Sequence, residues 1–255
     1  MDSRTLDKSF KKLYTNYNYG LYNPNSLNEK NMAERNNSSE EGRTPHHTTV
    51  DKRLQRVEFG PSRLVTNFAE KYHEMLKPGA SLLEVAVGEG RNLEAFADYD
   101  LDLHGIDADP EAVKIANEHL KKLGIEAKIE EGNFTDLSRF NDSSMDAVIS
   151  HAAIHNAFNL DQAQQAIKEI SRVLKPGGRY LMCESYTPRI KDADRRVRVA
   201  YFTPDEIQEI AKVTGLDIES GFDQPYEVKD NPEWVGGKQI MWNIVFQKPN
   251  VESQK

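Results

Sequence analysis

Leu82-Leu-Glu-Val-Ala-Val-Gly-Glu-Gly-Arg-Asn92 places an acidic residue near the end of an apolar run and then turns on Gly88-Glu-Gly90. An apolar run bounded by glycine reads as a buried strand entering a tight turn. Beyond it, Leu101-Asp-Leu-His-Gly-Ile-Asp107 is a second strand ending in a carboxylate, and Pro110-Glu-Ala-Val-Lys starts a helix. The order strand, glycine turn, helix, strand, carboxylate suits a nucleoside. Helix N-terminal amides at the turn can hold an anionic group, and Asp107 can accept hydrogen bonds from both ribose hydroxyls. Asp107 could instead cap the next helix, although Asp109, directly before Pro110, is the better cap.

The glycine spacing argues against a dinucleotide. Counting from Gly88 gives Gly88, Gly90 and Leu93, and counting from Ala86 gives Ala86, Gly88 and Arg91. Neither register supplies the small third residue that brings a helix close under a pyrophosphate. The run resembles motif I of the class I S-adenosylmethionine-dependent methyltransferases, E/D-x-G-x-G-x-G, with Glu84, Ala86, Gly88 and Gly90 at the marked positions and Ala86 as the departure. Further motifs follow in the family's order over roughly residues 60 to 248. They are Asp107, the turn Ile129-Glu-Glu-Gly-Asn133-Phe134, the fourth strand Met145-Asp-Ala-Val-Ile-Ser150-His151, the Leu174-Lys-Pro-Gly-Gly178 turn, and Tyr201-Phe-Thr-Pro-Asp-Glu-Ile207. The Gly-Glu-Gly-Arg-Asn92 string is similar to the tellurite-resistance type of small-molecule methyltransferase.

The resemblance implies a Rossmann-like α/β fold: a doubly wound, seven-stranded, mostly parallel sheet with one antiparallel C-terminal strand and helices on both faces. It implies S-adenosylmethionine as cofactor, held by Glu84, Ala86, Gly88, Gly90, Asn92, Asp107, Ala108, Asn133, Phe134, Ser150 and His151. Within that set Glu84 organises the glycine loop and receives the methionine ammonium. Asn133 meets the adenine amino group, with Phe134 near the ring. Alternatively Glu84 lies on an exposed edge strand, and Asn133 is only a turn residue after glycine.

His151 and His155, in Ser150-His-Ala-Ala-Ile-His-Asn156, end the fourth strand where the family exposes its substrate. Either could take a proton from an attacking group, and either could be a structural hydrogen-bonder. The implied reaction is in-line displacement of the methyl group to an O, N or S atom of a small molecule. The signature Asn/Asp-Pro-Pro-Tyr of enzymes acting on adenine or glutamine is absent. The rival from another class is a protein that binds the same nucleoside without turning it over while its tail engages a partner.

Composition and charge set limits. At 255 residues, 38% hydrophobic and 29% charged, the chain has the balance of an ordinary soluble protein. No apolar run spans a membrane and no leader is evident, so a cytoplasmic protein is expected. Cys183, the single cysteine, reads as a buried strand residue, and no metal site is expected. Residues 1–56 carry a net +3 and the remainder −11. An acidic domain is a poor partner for nucleic acid and suits a small-molecule substrate.

Residues 1–56 separate by composition, with eight Asn in the first forty positions, and read as a largely disordered or lid-like extension. Their Tyr14, Tyr17, Tyr19 and Tyr22 could cover the site mouth or belong to a mobile tail. The domain is expected over 57–249, with 250–255 a flexible tail. Within it, apolar residues every four positions from Leu64 to Leu76 predict a helix over 61–76. Strands are expected near 81–87, 102–107, 127–131, 145–150 and 178–185, with helices near 90–98, 110–123 and 160–174. Two last strands, over 215–220 and 239–247, should form a terminal hairpin. Between 187 and 202 lie Arg189, Lys191, Arg195, Arg196 and Arg198, either an attraction for an anionic substrate group or a solvated connector.

Overall fold

A computed structural model describes residues 57–157, 160–185, 202–221, 226–230 and 238–250. The expectations for residues 1–56, for the basic stretch 187–201 and for the tail beyond Asn250 lie outside the described residues.

Strands and helices alternate as the periodicity predicts. The strands are β1 (Ser81–Val85), β2 (Asp102–Asp107), β3 (Ala127–Glu131), β4 (Met145–His151), β5 (Leu174–Ser185), β6 (Asp217–Ser220), β7 (Tyr226–Asp230) and β8 (Lys238–Gln247). The helices are α1 (Arg63–Lys71), α2 (Pro110–Lys122), α3 (Leu160–Val173) and α4 (Pro204–Thr214). Seven strands run in the order β3-β2-β1-β4-β5-β8-β6. β1 pairs in parallel with both β2 and β4, and β8 enters antiparallel between β5 and β6. The expected sheet is therefore present. One short strand was not foreseen: β7 also pairs with β8, along the same edge as β6 and beyond its end.

Strand alternation sorts the core into two layers. Leu82, Ala147, Ile149, Leu181 and Val245 share one cluster with Val65 and Phe68 of α1 and Ala116 and Leu120 of α2. The intervening residues Leu83, Val148, Tyr180 and Met182 are equally buried and belong to the other face, where α3 packs on β5 and on α4. Cys183 is buried, as read from sequence, and its thiol donates to Asn243 Oδ1 at 3.4 Å. At the far end of α3, Lys248 Nζ donates to the carbonyls of Ser171 (2.8 Å) and Leu174 (2.7 Å), a cation at a helix C-terminus.

Two elements are shorter than their patterns. The helix expected over 61–76 is regular only over α1 and then tightens into successive turns to Leu76, closed by Met75 N–H to Tyr72 O and Leu76 N–H to His73 O. The helix expected over 90–98 is a 3₁₀ segment, Arg91–Phe96. It starts at Gly90, in the left-handed region, and ends where Asp100 at φ 50° turns the chain into β2.

Candidate functional site

Parallel pairing brings the carboxyl ends of β1, β2 and β4 side by side, with Val85 opposite Ser150 and Ile106. Residues separated in sequence by up to 66 positions thus share one edge of the sheet, where ligands of open α/β folds bind. The chain leaves β1 through Ala86, at φ 52°. An alanine in this region carries strain of roughly 1–2 kcal/mol that glycine would avoid. The two glycines of the turn have different work. A Cβ on Gly90 would lie 3.1 Å from Ala116 Cβ and 3.3 Å from Leu120 Cδ1, so Gly90 lets α2 approach. A Cβ on Gly88 would meet nothing within 4 Å, so Gly88 borders open space at the mouth of the turn.

Asp107 ties the turn to β2: Oδ2 accepts from Gly88 N at 2.8 Å and Oδ1 from Asp109 N at 2.9 Å. The capping alternative falls away, because Asp109 caps α2 by accepting from Glu111 N at 3.0 Å. Ala108 beside it is exposed.

Glu84 lies on central β1, which removes the edge-strand reading. Its Oε1 accepts from Asn92 Nδ2 at 2.8 Å, while Oε2 is buried with no hydrogen-bond partner in the described structure. Burial, only partly offset by the Asn92 bond and by Arg91, pushes its carboxyl up to about 8. Asn92, itself buried, accepts from Ser62 N at 3.0 Å, and Arg91 donates to Gly60 O at 2.9 Å. The segment leading into α1 is therefore fastened to the glycine turn.

The two histidines occupy different environments. His151 Nε2 pairs with Ser62 Oγ at 3.0 Å, and burial together with the Arg91 charge lowers its ring to about 4, so it is neutral at pH 7. His155 Nδ1 lies 2.7 Å from Glu184 Oε2. Glu184, on β5 and fully buried, was missed by the sequence reading. Ser150, expected at the cofactor, is instead wholly interior, its hydroxyl shared with Tyr180 OH (2.8 Å) and Glu184 Oε1 (2.9 Å). Asn133 is exposed and its Oδ1 accepts from Thr135 N and Oγ1, at 3.0 and 2.9 Å, so the turn reading holds for that oxygen. Gly132 N donates to Asp107 O at 2.9 Å, which keeps Asn133 and the half-buried Phe134 beside the β2 end. No group of three or more His, Cys, Asp or Glu poised for a metal occurs among the described residues.

Residues 83–182 match the family model described as "Methyltransferase domain". Over that segment the chain is similar to the class I S-adenosylmethionine-dependent methyltransferases. The domain is 31% identical over 108 residues to an uncharacterized methyltransferase, YcgJ, of Bacillus subtilis, covering 42% of this chain and 41% of that one. To a demethylmenaquinone methyltransferase of Tropheryma whipplei it is 29% identical over 155 residues, covering 56% and 62%. These matches span less than two thirds of each relative. A solved geranyl diphosphate methyltransferase, in complex with SAM, superposes with a TM-score of 0.55 at 16% identity, covering 72% of this chain and 85% of that one, and so shares the fold. Among the described residues, no helix is long and apolar enough to cross a membrane.

Proposed function

We propose that this chain transfers a methyl group from S-adenosylmethionine to an O, N or S atom of a small organic acceptor. The observation that supports it most is Glu84 Oε2, a buried carboxyl oxygen at the glycine turn with no donor of its own among the described residues. Such an atom costs several kcal/mol unless a donor reaches it, and a cationic donor is the best match. The cofactor's methionine ammonium is such a group, and Asn92 holds the carboxyl ready for it. Asp107 stands at the end of β2, where the ribose would lie, Gly88 leaves room beside the turn, and Ala108, Asn133 and Phe134 border the adenine side.

When bound, S-adenosylmethionine supplies a methyl group on an electron-poor sulfonium. The protein then has to orient the acceptor, exclude water and remove a proton where one must leave. Alignment alone is worth up to about 7–11 kcal/mol. Of the two histidines, His155 suits the proton-accepting role. His151 titrates too low to hold a proton at neutral pH and is occupied with Ser62. A general base adds roughly 10²- to 10⁴-fold.

Calorimetric titration of S-adenosylmethionine and S-adenosylhomocysteine into the purified chain tests this reading, with Asp107→Ala as the comparison. Loss of charged hydrogen bonds to the ribose should weaken binding roughly 10- to 100-fold. No binding by the parent chain would sink the proposal. Binding without release of S-adenosylhomocysteine in any metabolite extract would mark a protein that holds the nucleoside without using it.

A further inference from the structure

Two buried carboxyls lie near the ends of the strands on either side of β4, and they are supplied with donors very differently. Glu184 on β5 accepts from Ser150 Oγ, from the amides of Ala153, Ile154 and His155, and from His155 Nδ1, all at 2.7 to 3.2 Å. Glu84 on β1, 1% exposed, has one donor among the described residues, Asn92 Nδ2 at 2.8 Å on Oε1. Its Oε2 is enclosed and has none. Ionising a carboxyl sealed from water is costly unless donors or a cation meet both oxygens, and one neutral amide meets only part of that demand.

The groups around Glu84 do not supply the remainder. Asn92 cannot turn over: its Oδ1 accepts from Ser62 N at 3.0 Å, so its NH₂ stays on Oε1 and the carboxyl hydrogen belongs on Oε2. The strand partners of Glu84 are Gly105 and Ile149, neither of them ionisable. Asp107 at the end of β2 opposes a second negative charge, and Glu89, buried in the turn, adds no cation. His151 at the end of β4 is neutral at pH 7, as is the Cys183 thiol on β5, which burial pushes up. Arg91 favours the ionised form, and burial outweighs it.

We propose that Glu84 exchanges a proton for a cation: its carboxyl is neutral in the free protein, with the hydrogen on Oε2, and releases that proton to solvent when the cofactor's ammonium is seated against Oε2. The proposal rests on the methyltransferase reading and adds a regulation to it. The Oε2–H bond breaks with its electron pair left on the carboxylate, and the proton goes to the buffer. An ammonium N–H then donates to Oε2 while Asn92 keeps Oε1. The free protein holds one proton more than the complex, so affinity for the cofactor rises as pH rises toward 8. A nucleoside without an amine displaces no proton and binds without that dependence.

The test is calorimetric titration of S-adenosylmethionine into the full chain at pH 6 and 7, each in two buffers of different ionisation heat, so that the buffer dependence of the heat counts protons. With the carboxyl titrating at about 8 and the free amine near 7.7–8.0, release should be about one proton at pH 6 and about 0.8 at pH 7. Affinity should be roughly eightfold higher at pH 7 than at pH 6. Glu84→Gln should lose both the release and the pH dependence. The amine-free 5′-methylthioadenosine should bind the parent with no release, a control that needs no variant. Infrared difference spectra of the parent should show the protonated-carboxyl band disappearing as S-adenosylmethionine binds. Binding of S-adenosylmethionine without proton release, or equal release from Glu84→Gln or with 5′-methylthioadenosine, overturns the proposal and leaves the methyltransferase reading standing. No binding of S-adenosylmethionine by the parent overturns both.

Discussion

Glu84 and Glu184 occupy matching places, each the penultimate residue of a strand flanking β4 and each sealed from water. They are served in opposite ways. Glu184 has five donors and is held ionised; Glu84 has Asn92 on one oxygen and none among the described residues on the other, and holds its proton up to about 8. Burial sets the demand equally for both, and the local supply of donors decides the charge. A carboxyl satisfied from within belongs to the protein's own architecture, whereas one left short is complementary to something brought from outside.

Removing the satisfied member should do the most damage. Glu184→Ala strands five donors, and chemical denaturation at pH 7 should show a loss of about 3–5 kcal/mol. A loss under 1 kcal/mol would mean the two carboxylates do not differ in kind.

Glu84→Gln should run the other way. The folded carboxyl titrates near 8 against 4.5 when solvated, so its contribution is intact below pH 4.5 and is lost as pH rises to 8. At pH 9 the glutamine chain should be the more stable, by up to about 5 kcal/mol on the conversion of pKa to free energy. It should also bind S-adenosylmethionine more weakly, by roughly 10- to 100-fold in calorimetry. Equal stability of parent and variant from pH 5 to 9 would remove the asymmetry.

His151 sharpens the acid side. Its ring titrates near 4 when folded and near 6.5 when free, so stability is lost as pH falls from 6.5 to 4. His151→Gln should flatten that limb by up to about 3 kcal/mol in pH-dependent melts, and an unchanged slope would assign the limb to other groups.

The smallest effect belongs to Ala86, at φ 52° beside Glu84. Ala86→Gly should relieve the left-handed strain at some entropic cost, a net gain of about 1 kcal/mol or less in a thermal melt. A loss would show that the methyl packs usefully in the turn.

Glu84, Asp107 and the glycine turn were legible because their geometry is local: strand, turn and helix start follow one another within thirty residues. Glu184 carries the same signal as Glu84, a lone acid in an apolar strand, Tyr180-Leu-Met-Cys-Glu184, against Leu82-Leu-Glu84-Val. It went unread because its partners lie 29 to 34 positions earlier and meet it only through the β4–β5 register. The buried partners of the Ser150 hydroxyl escaped for a related reason. The strand was read correctly, but which side its hydroxyl served depended on an acid not yet recognised. β7 escaped because Tyr226-Glu-Val-Lys-Asp230 is short and charged, and only pairing with β8 defines it.

The placement of β8 bears on the order in which the molecule can be made. Among the described residues, the strand lying against β5 is the last in chain order, and the β6 strand made before it has no neighbouring strand until β8 arrives. On the ribosome, one edge of β5 therefore stays without its partner until residue 247 has left the exit tunnel. During that interval the nascent chain presents an apolar strand edge of the kind that other chains can pair with.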